Sequence, residues 1–191
     1  MNKFIILISS ISLIIVILIT TIRPDVILAA EILVDSTTEL TNTNTDESGP
    51  STVWINDQTG FVFYEDSGGG LSMGSTTDGG ASWTSGRNVD SVNTGDVVHF
   101  AVWWDGWTIP GTTTTYIHIA TIDLANDSNY YTRYDTTNNT LSTTVLGTSQ
   151  GATCTEASSC YVAITKAKDG RLFMTSADAS DAWVVTCTTT C

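Results

Sequence analysis

The stretch STTDGGASWT, Ser75 to Thr84, sets Thr76, Asp78, Gly80, Ser82 and Trp83 at fixed, mostly alternate offsets. Two adjacent glycines, Gly79 and Gly80, permit positive φ where a side chain would clash. The Thr76 hydroxyl and the Asp78 carboxylate can accept hydrogen bonds from backbone N–H groups of a tight turn. Ser82 closes the turn from its far side. Trp83 is expected to begin the returning strand and to bury its ring beneath the turn, holding the hairpin on the core. The stretch reads as a turn between two antiparallel strands.

Strand patterns surround it. STVWIND and GFVFYED are rich in β-branched and aromatic residues, with a hairpin turn at DQTG between them. DVVHFAVWWD and YIHIATID form a second pair, joined by the longer GWTIPGTTTT. NYYTRYD and LSTTVL turn through TTNN, CYVAITKA and RLFMTSAD turn at KDG, and AWVVTC closes the chain. After residue 31 no segment sustains a helical period, so the fold class is all-β. The units beginning at TVWIND, HFAVWWD and YVAITKA share one layout and start roughly 50 and 60 residues apart, near the range of propeller blades. Such a unit cannot bury both faces alone and must stack on its neighbours.

Thr76-x-Asp78-x-Gly80-x-Ser82-Trp83 resembles the Asp-box of sialidase-like β-propellers, also called the bacterial neuraminidase repeat. The resemblance spans residues 51–185 and implies about three blades of an incomplete propeller. TSADASDAWV, with Ser176, Asp178, Ser180 and Trp183, is similar to a second box that lacks the glycine. In that family the Asp-box is a structural hairpin remote from the active site. Catalysis there implies an arginine triad, a Tyr/Glu pair, an acidic Asp and an Arg-Ile-Pro signature. This chain has no Arg-Ile-Pro, and TIRPD at Thr21 to Asp25 carries those residues in another order. Arg87, Arg133 and Arg171 are the arginines left for a triad, none of them in a matching motif. Propellers close with about 4 to 8 blades, so three blades imply a fragment, chains that associate to complete a ring, or an open sandwich.

Composition bounds the rest. The 191 residues carry 7 Lys plus Arg against 20 Asp plus Glu, a formal net charge of −13. So acidic a surface excludes nucleic acid, which needs clustered positive charge. Residues 1–30 read as a signal peptide or membrane anchor, with Lys3 ahead of a charge-free apolar run, residues 4–22, and a small-residue end at Ala30. The run can serve as a membrane tether, and either reading sends the remainder out of the cytoplasm. Residues 31–50 read as a polar linker and residues 51–191 as the β domain. Cys154, Cys160, Cys187 and Cys191 make an even count that suits disulfides in an exported chain. The local pair Cys154–Cys160 around CTEASSC is expected first, and Cys187–Cys191 closes a tighter loop. The spacings lack the histidines of a zinc site.

No cofactor, metal or catalytic residue is expected. His99 and His118 fall in strands, where packed residues need no chemistry. Glu65 and Asp66 are adjacent, so a strand would point them to opposite faces rather than pair them as a glycosidase dyad. Asp123 to Asn129 offers oxygens without an EF-hand arrangement. NDS at Asn126 and NNT at Asn138 are glycan-acceptor patterns. Trp103 and Trp104 should face opposite ways. Trp107, in DGWTIPG, can stack on a sugar ring. The expectation is an exported or surface-tethered, non-catalytic module that binds a glycan or an extracellular protein. The alternative is a piece or subunit of a sialidase-type glycoside hydrolase.

Overall fold

The computed structural model describes residues 31–36, 51–66, 69–89, 97–108, 115–123, 128–147, 160–177 and 181–187. Ile32–Cys191 forms one compact unit, and of the other unit, Met1–Glu31, only Glu31 is described. The signal or anchor reading of residues 1–30 therefore lies outside the described residues. Among those described, no helix is long and apolar enough to cross a membrane.

Three antiparallel meanders make up the unit. The first sheet runs β1 (Ser51–Trp54), β2 (Gly60–Glu65), β3 (Leu71–Thr76) and β4 (Thr84–Asn88) in sequence order. The second runs β5 (Val97–Trp104), β6 (Tyr116–Asp123), β7 (Ser128–Asp135) and β8 (Thr140–Gly147), with a one-turn helix α1 (Asp105–Thr108) between β5 and β6. The third comprises β9 (Tyr161–Lys166), β10 (Leu172–Ala177) and β11 (Ala182–Cys187). These are the strand pairs that the alternation and turn residues predict. Two of the marked turns, DQTG and TTNN, are closed by the residue just before them. Asn56 Oδ1 accepts from Gln58 N and Thr59 N at 2.9 and 2.8 Å. Asp135 Oδ1 accepts from Thr137 N and Asn138 N at 2.9 and 3.1 Å.

The sheets stack first on second on third, with β1 against β5 and β5 against β9. Strand alternation supplies the two faces that the middle sheet needs. Phe100, Val102 and Trp104 turn toward the first sheet, where Val53, Phe61, Phe63 and Met73 meet Ile117 and Ile119. Ala101 and Trp103 turn the other way, into a second core with Ala120, Tyr131, Ile164, Leu172 and Met174. The opposed orientation expected of Trp103 and Trp104 is what the stack requires. Among the described residues no further sheet closes the stack into a ring.

The two outer sheets are finished differently. On the outward face of the first sheet β2 and β3 are covered, while Thr52 and Trp54 of β1 stay exposed. Val34 lies so close over Gly74 that an added Cβ there would sit 2.6 Å from its Cγ1. Asp35 Oδ2 accepts from the Tyr64 hydroxyl at 2.6 Å, and that hydroxyl accepts from Gly86 N at 3.0 Å. Val34 and Asp35 thus strap residues 32–36 across β2 and β3, and the compact unit runs from Ile32. A polar composition downstream hid this, because the strap's own residues, ILV, are apolar. Among the described residues the third sheet has no such strap: Val184, on its outward face, is 65% exposed, and Tyr161, 56% exposed, stacks on His99 of β5 with ring centroids 5.5 Å apart.

Candidate functional site

The Asp78 turn assembles as its residue types demand. Thr76 Oγ1 donates to Asp78 Oδ1 at 2.8 Å and accepts from Gly80 N at 3.0 Å. Asp78 Oδ1 also accepts from Ser82 N at 2.9 Å, and Asp78 Oδ2 from Ser82 Oγ at 2.6 Å. Gly79 and Gly80 have φ of 72° and 89°, and Gly79 N donates to Gln58 O at 2.9 Å, which ties the turn to its neighbour between β1 and β2. The hydrogen bonds from Ser82, then from Thr76, hold the Asp78 carboxyl down at about 2. Trp83 departs from expectation. β4 starts at Thr84, and the half-buried Trp83 ring meets Trp54 edge-on, centroids 5.9 Å apart, outside the hydrophobic clusters. The turn projects past Met73, the last β3 residue in the core, so the indole finds a partner on β1 instead.

The second constellation lies where β5 ends. Asp105 opens α1, and Gly106 follows because the Trp104 ring covers it, 2.4 Å from where a Cβ would stand. Trp104 Nε1 is buried with no hydrogen-bond partner. His118, on β6, is fully buried; its Nε2 is 2.7 Å from Asp105 Oδ1 and its Nδ1 2.6 Å from the Tyr131 hydroxyl. A carboxylate only accepts, so Nε2 carries the proton and Nδ1 accepts from Tyr131. Lys166 Nζ, from the end of β9, donates to the same Asp105 oxygen at 2.7 Å. Its 3.4 Å approach to His118 Nε2 sets two donors side by side and is a consequence of their shared acceptor. Burial alone would raise the Asp105 carboxyl; the hydrogen bonds from His118 and Lys166 outweigh it and leave the group below the usual carboxylate range. Burial pushes the Tyr131 phenol well above its ordinary value, so it stays a donor.

Two further bonds build a surface on this cluster. Thr108 Oγ1 donates to Lys166 O at 3.2 Å and accepts from Trp103 Nε1 at 2.9 Å. Trp103 in turn supports Trp107 edge-on, centroids 5.4 Å apart. Trp107 is 43% exposed. An open indole therefore sits at the seam of the second and third sheets, beside a threonine whose hydroxyl ties α1 to the end of β9, while the Lys166 ammonium is turned inward to Asp105. His118 and Tyr131 are too buried to reach a ligand, so the cluster works as a clamp beneath that surface rather than as a proton relay to it.

Other sequence-derived sites fall as follows. Cys160 and Cys187 are each in a disulfide, while Cys154 and Cys191 lie outside the described residues. Ser176 accepts from Asn129 Nδ2 at 3.2 Å, but residues 178–180 of the second box are not described. Asp66 closes its own turn, its two oxygens accepting from Gly70 N at 3.3 Å and Ser72 Oγ at 2.6 Å. The arginines do not converge. Arg87 bonds Asn139 and lies over Tyr134, on the first-sheet side of the middle sheet. Arg133 lies over Tyr116, on the opposite face, and Arg171 pairs with Asp169. Among the described residues no three His, Cys, Asp or Glu side chains are placed to hold a metal ion.

Sequence reasoning missed Asp105 and Lys166 altogether and read His118 as plain packing. The available signal was His118 itself: an imidazole in a strand with apolar neighbours needs partners for both nitrogens.

No protein-family model matches the chain. No curated protein matches it either. Among solved structures it is similar to the SapL1 lectin in complex with alpha methyl fucoside, at 9% identity and a TM-score of 0.39, over 70% of this chain and 44% of that one. The chain thus spans less than half of that protein's length, and a likeness of this size assigns neither family nor ligand.

Proposed function

We propose that the chain is an exported or cell-surface module of sialidase-like, Asp-box-bearing blades that binds a glycan, or a protein that carries one, without catalysis. The observation that carries the binding reading is Trp107: an indole left 43% exposed yet fixed by Trp103, with Thr108 next to it bonded to the Lys166 carbonyl. Sugar rings pack apolar C–H faces on indoles, and a pre-positioned aromatic loses little entropy on binding. With a net charge of −13, the protein favours neutral sugars over polyanionic ones. The blade reading is supported by the meander layout of the sheets, by their first strands lying together, and by the closed Asp78 turn. The hydrolase alternative draws no support from the separated arginines.

A glycan array probed with the full chain tests the proposal. Binding to neutral glycans should be lost at least tenfold in Trp107→Ala and kept in Trp54→Ala, whose indole is also exposed. No glycan bound, or binding indifferent to Trp107, overturns it.

A further inference from the structure

One residue of the third sheet, Lys166, reaches α1 twice. Along β9, Val162, Ile164 and Lys166 alternate onto the inward side, so the Lys166 side chain points at the middle sheet. There its Nζ donates to Asp105 Oδ1, on the first residue of α1. Its backbone points elsewhere. Ala167 N donates to Arg171 O at 2.8 Å, so Ala167 faces β10. The antiparallel ladder then turns the N–H and C=O of Lys166 off the edge of the sheet, which β9 forms among the described residues. An edge carbonyl takes a side chain or water as its partner. Lys166 O accepts from Thr108 Oγ1 at 3.2 Å, on the last residue of α1. Lys166 thus grips α1 at both ends, and Trp107 lies between the two grips.

A four-residue helix closes a single turn and does not hold itself. Its shape is set by what it is tied to. The Thr108 hydroxyl is the junction: its proton goes to Lys166 O, and its oxygen accepts from Trp103 Nε1 at 2.9 Å. Trp103 is the indole against which Trp107 rests edge-on. We infer that Thr108 is a positioning residue that makes the Trp107 surface conditional on a seated third sheet. With β9 in place, α1 is clasped and Trp107 is propped on Trp103. With β9 withdrawn, both grips are lost and Trp107 is released.

The consequence for a ligand rests on the glycan reading above. Linkage is reciprocal, so a sugar on Trp107 favours the seated third sheet by the same factor that seating favours the sugar. Binding at Trp107 and docking of β9 are then one coupled equilibrium.

Fluorine NMR of the full chain labelled with fluorotryptophan tests this, each signal being assigned by a Trp→Phe substitution. Thr108→Val deletes the hydroxyl and keeps the branched shape. It should move or split the Trp107 and Trp103 signals by more than their linewidths and leave those of Trp54 and Trp83 in place. Thr108→Ser should restore the parent spectrum. Lys166→Met removes the ammonium and keeps the carbonyl; it should disturb Trp107 as well, and it decides the matter if Thr108→Val does not fold. A Trp107 signal indifferent to either folded variant, or one that Thr108→Ser fails to restore, overturns the proposal. Where the array finds a glycan, Thr108→Val should weaken its binding about fivefold or more, and the glycan should slow amide exchange in β9. A glycan bound equally well by Thr108→Val overturns the proposal too. No glycan at all sinks the glycan reading alone, because the Trp107 signal is read without ligand.

Discussion

Asp78 and Asp105 both sit at strand ends, and both carboxyls are held below their usual range, but by different company. Asp78 is exposed, and its partners Thr76 and Ser82 lie within four residues. Asp105 is buried, and its partners His118 and Lys166 lie 13 and 61 residues away. The first arrangement is a property of ten consecutive residues. The second exists only after two sheets have stacked. A local turn can be read as a pattern, whereas a clamp across a seam has none.

The largest test of that contrast is Asp105→Ala. Removing the shared acceptor leaves the Lys166 ammonium without a counter-charge and the His118 Nε2–H without an acceptor in a buried seam, which costs about 3–5 kcal/mol. Urea titration should show this loss, and Asp105→Asn should recover part of it. A change below about 1 kcal/mol would mean that the seam does not depend on the clamp. Next comes Gly80→Ala. The backbone there has φ of 89°, and a Cβ would stand 3.3 Å from the Trp54 ring. The expected loss is about 1–2 kcal/mol, because left-handed backbone disfavours a side chain.

Tyr64→Phe removes the bond to Asp35 and the acceptor for Gly86 N, a loss of about 1 kcal/mol. It should appear first as faster proteolysis within residues 31–36. The same strap gives a pH test. Burial, then the Asp35 bond, raises the Tyr64 phenol from 10.0 to about 12. Its contribution is present below pH 10 and is lost as pH rises toward 12, so strap proteolysis should accelerate across that window. The smallest effect is Asp78→Asn. It should speed amide exchange at Gly80 and Ser82 and leave global unfolding almost unchanged. In the parent, the contribution of Asp78 is present above pH 3.8 and lost as pH falls toward 2.

The same distinction explains what the sequence made legible. Period-two alternation marked β1, β2 and β5 to β11, the Asp78 turn implied β3 and β4 on either side of it, and DQTG and TTNN marked hairpins whose closing bonds, from Asn56 and Asp135 just before them, reach only a few residues. The fixed offsets of Thr76, Asp78 and Ser82 predicted their bonds. Trp83 was misplaced because a motif specifies its own turn and not how far that turn projects beyond the core. Lys166 was invisible as a site residue: nothing in CYVAITKA distinguishes a lysine that reaches Asp105 from one in solvent. The strap escaped because its hold depends on Gly74 and Tyr64, some 40 and 30 positions downstream of Val34 and Asp35.

That strap has a mechanical meaning. Among the described residues it meets the first sheet at the Asp35–Tyr64 hydrogen bond and where Val34 packs over Gly74. Tension applied to the N-terminus would be spent peeling these two contacts in turn before any sheet bore load.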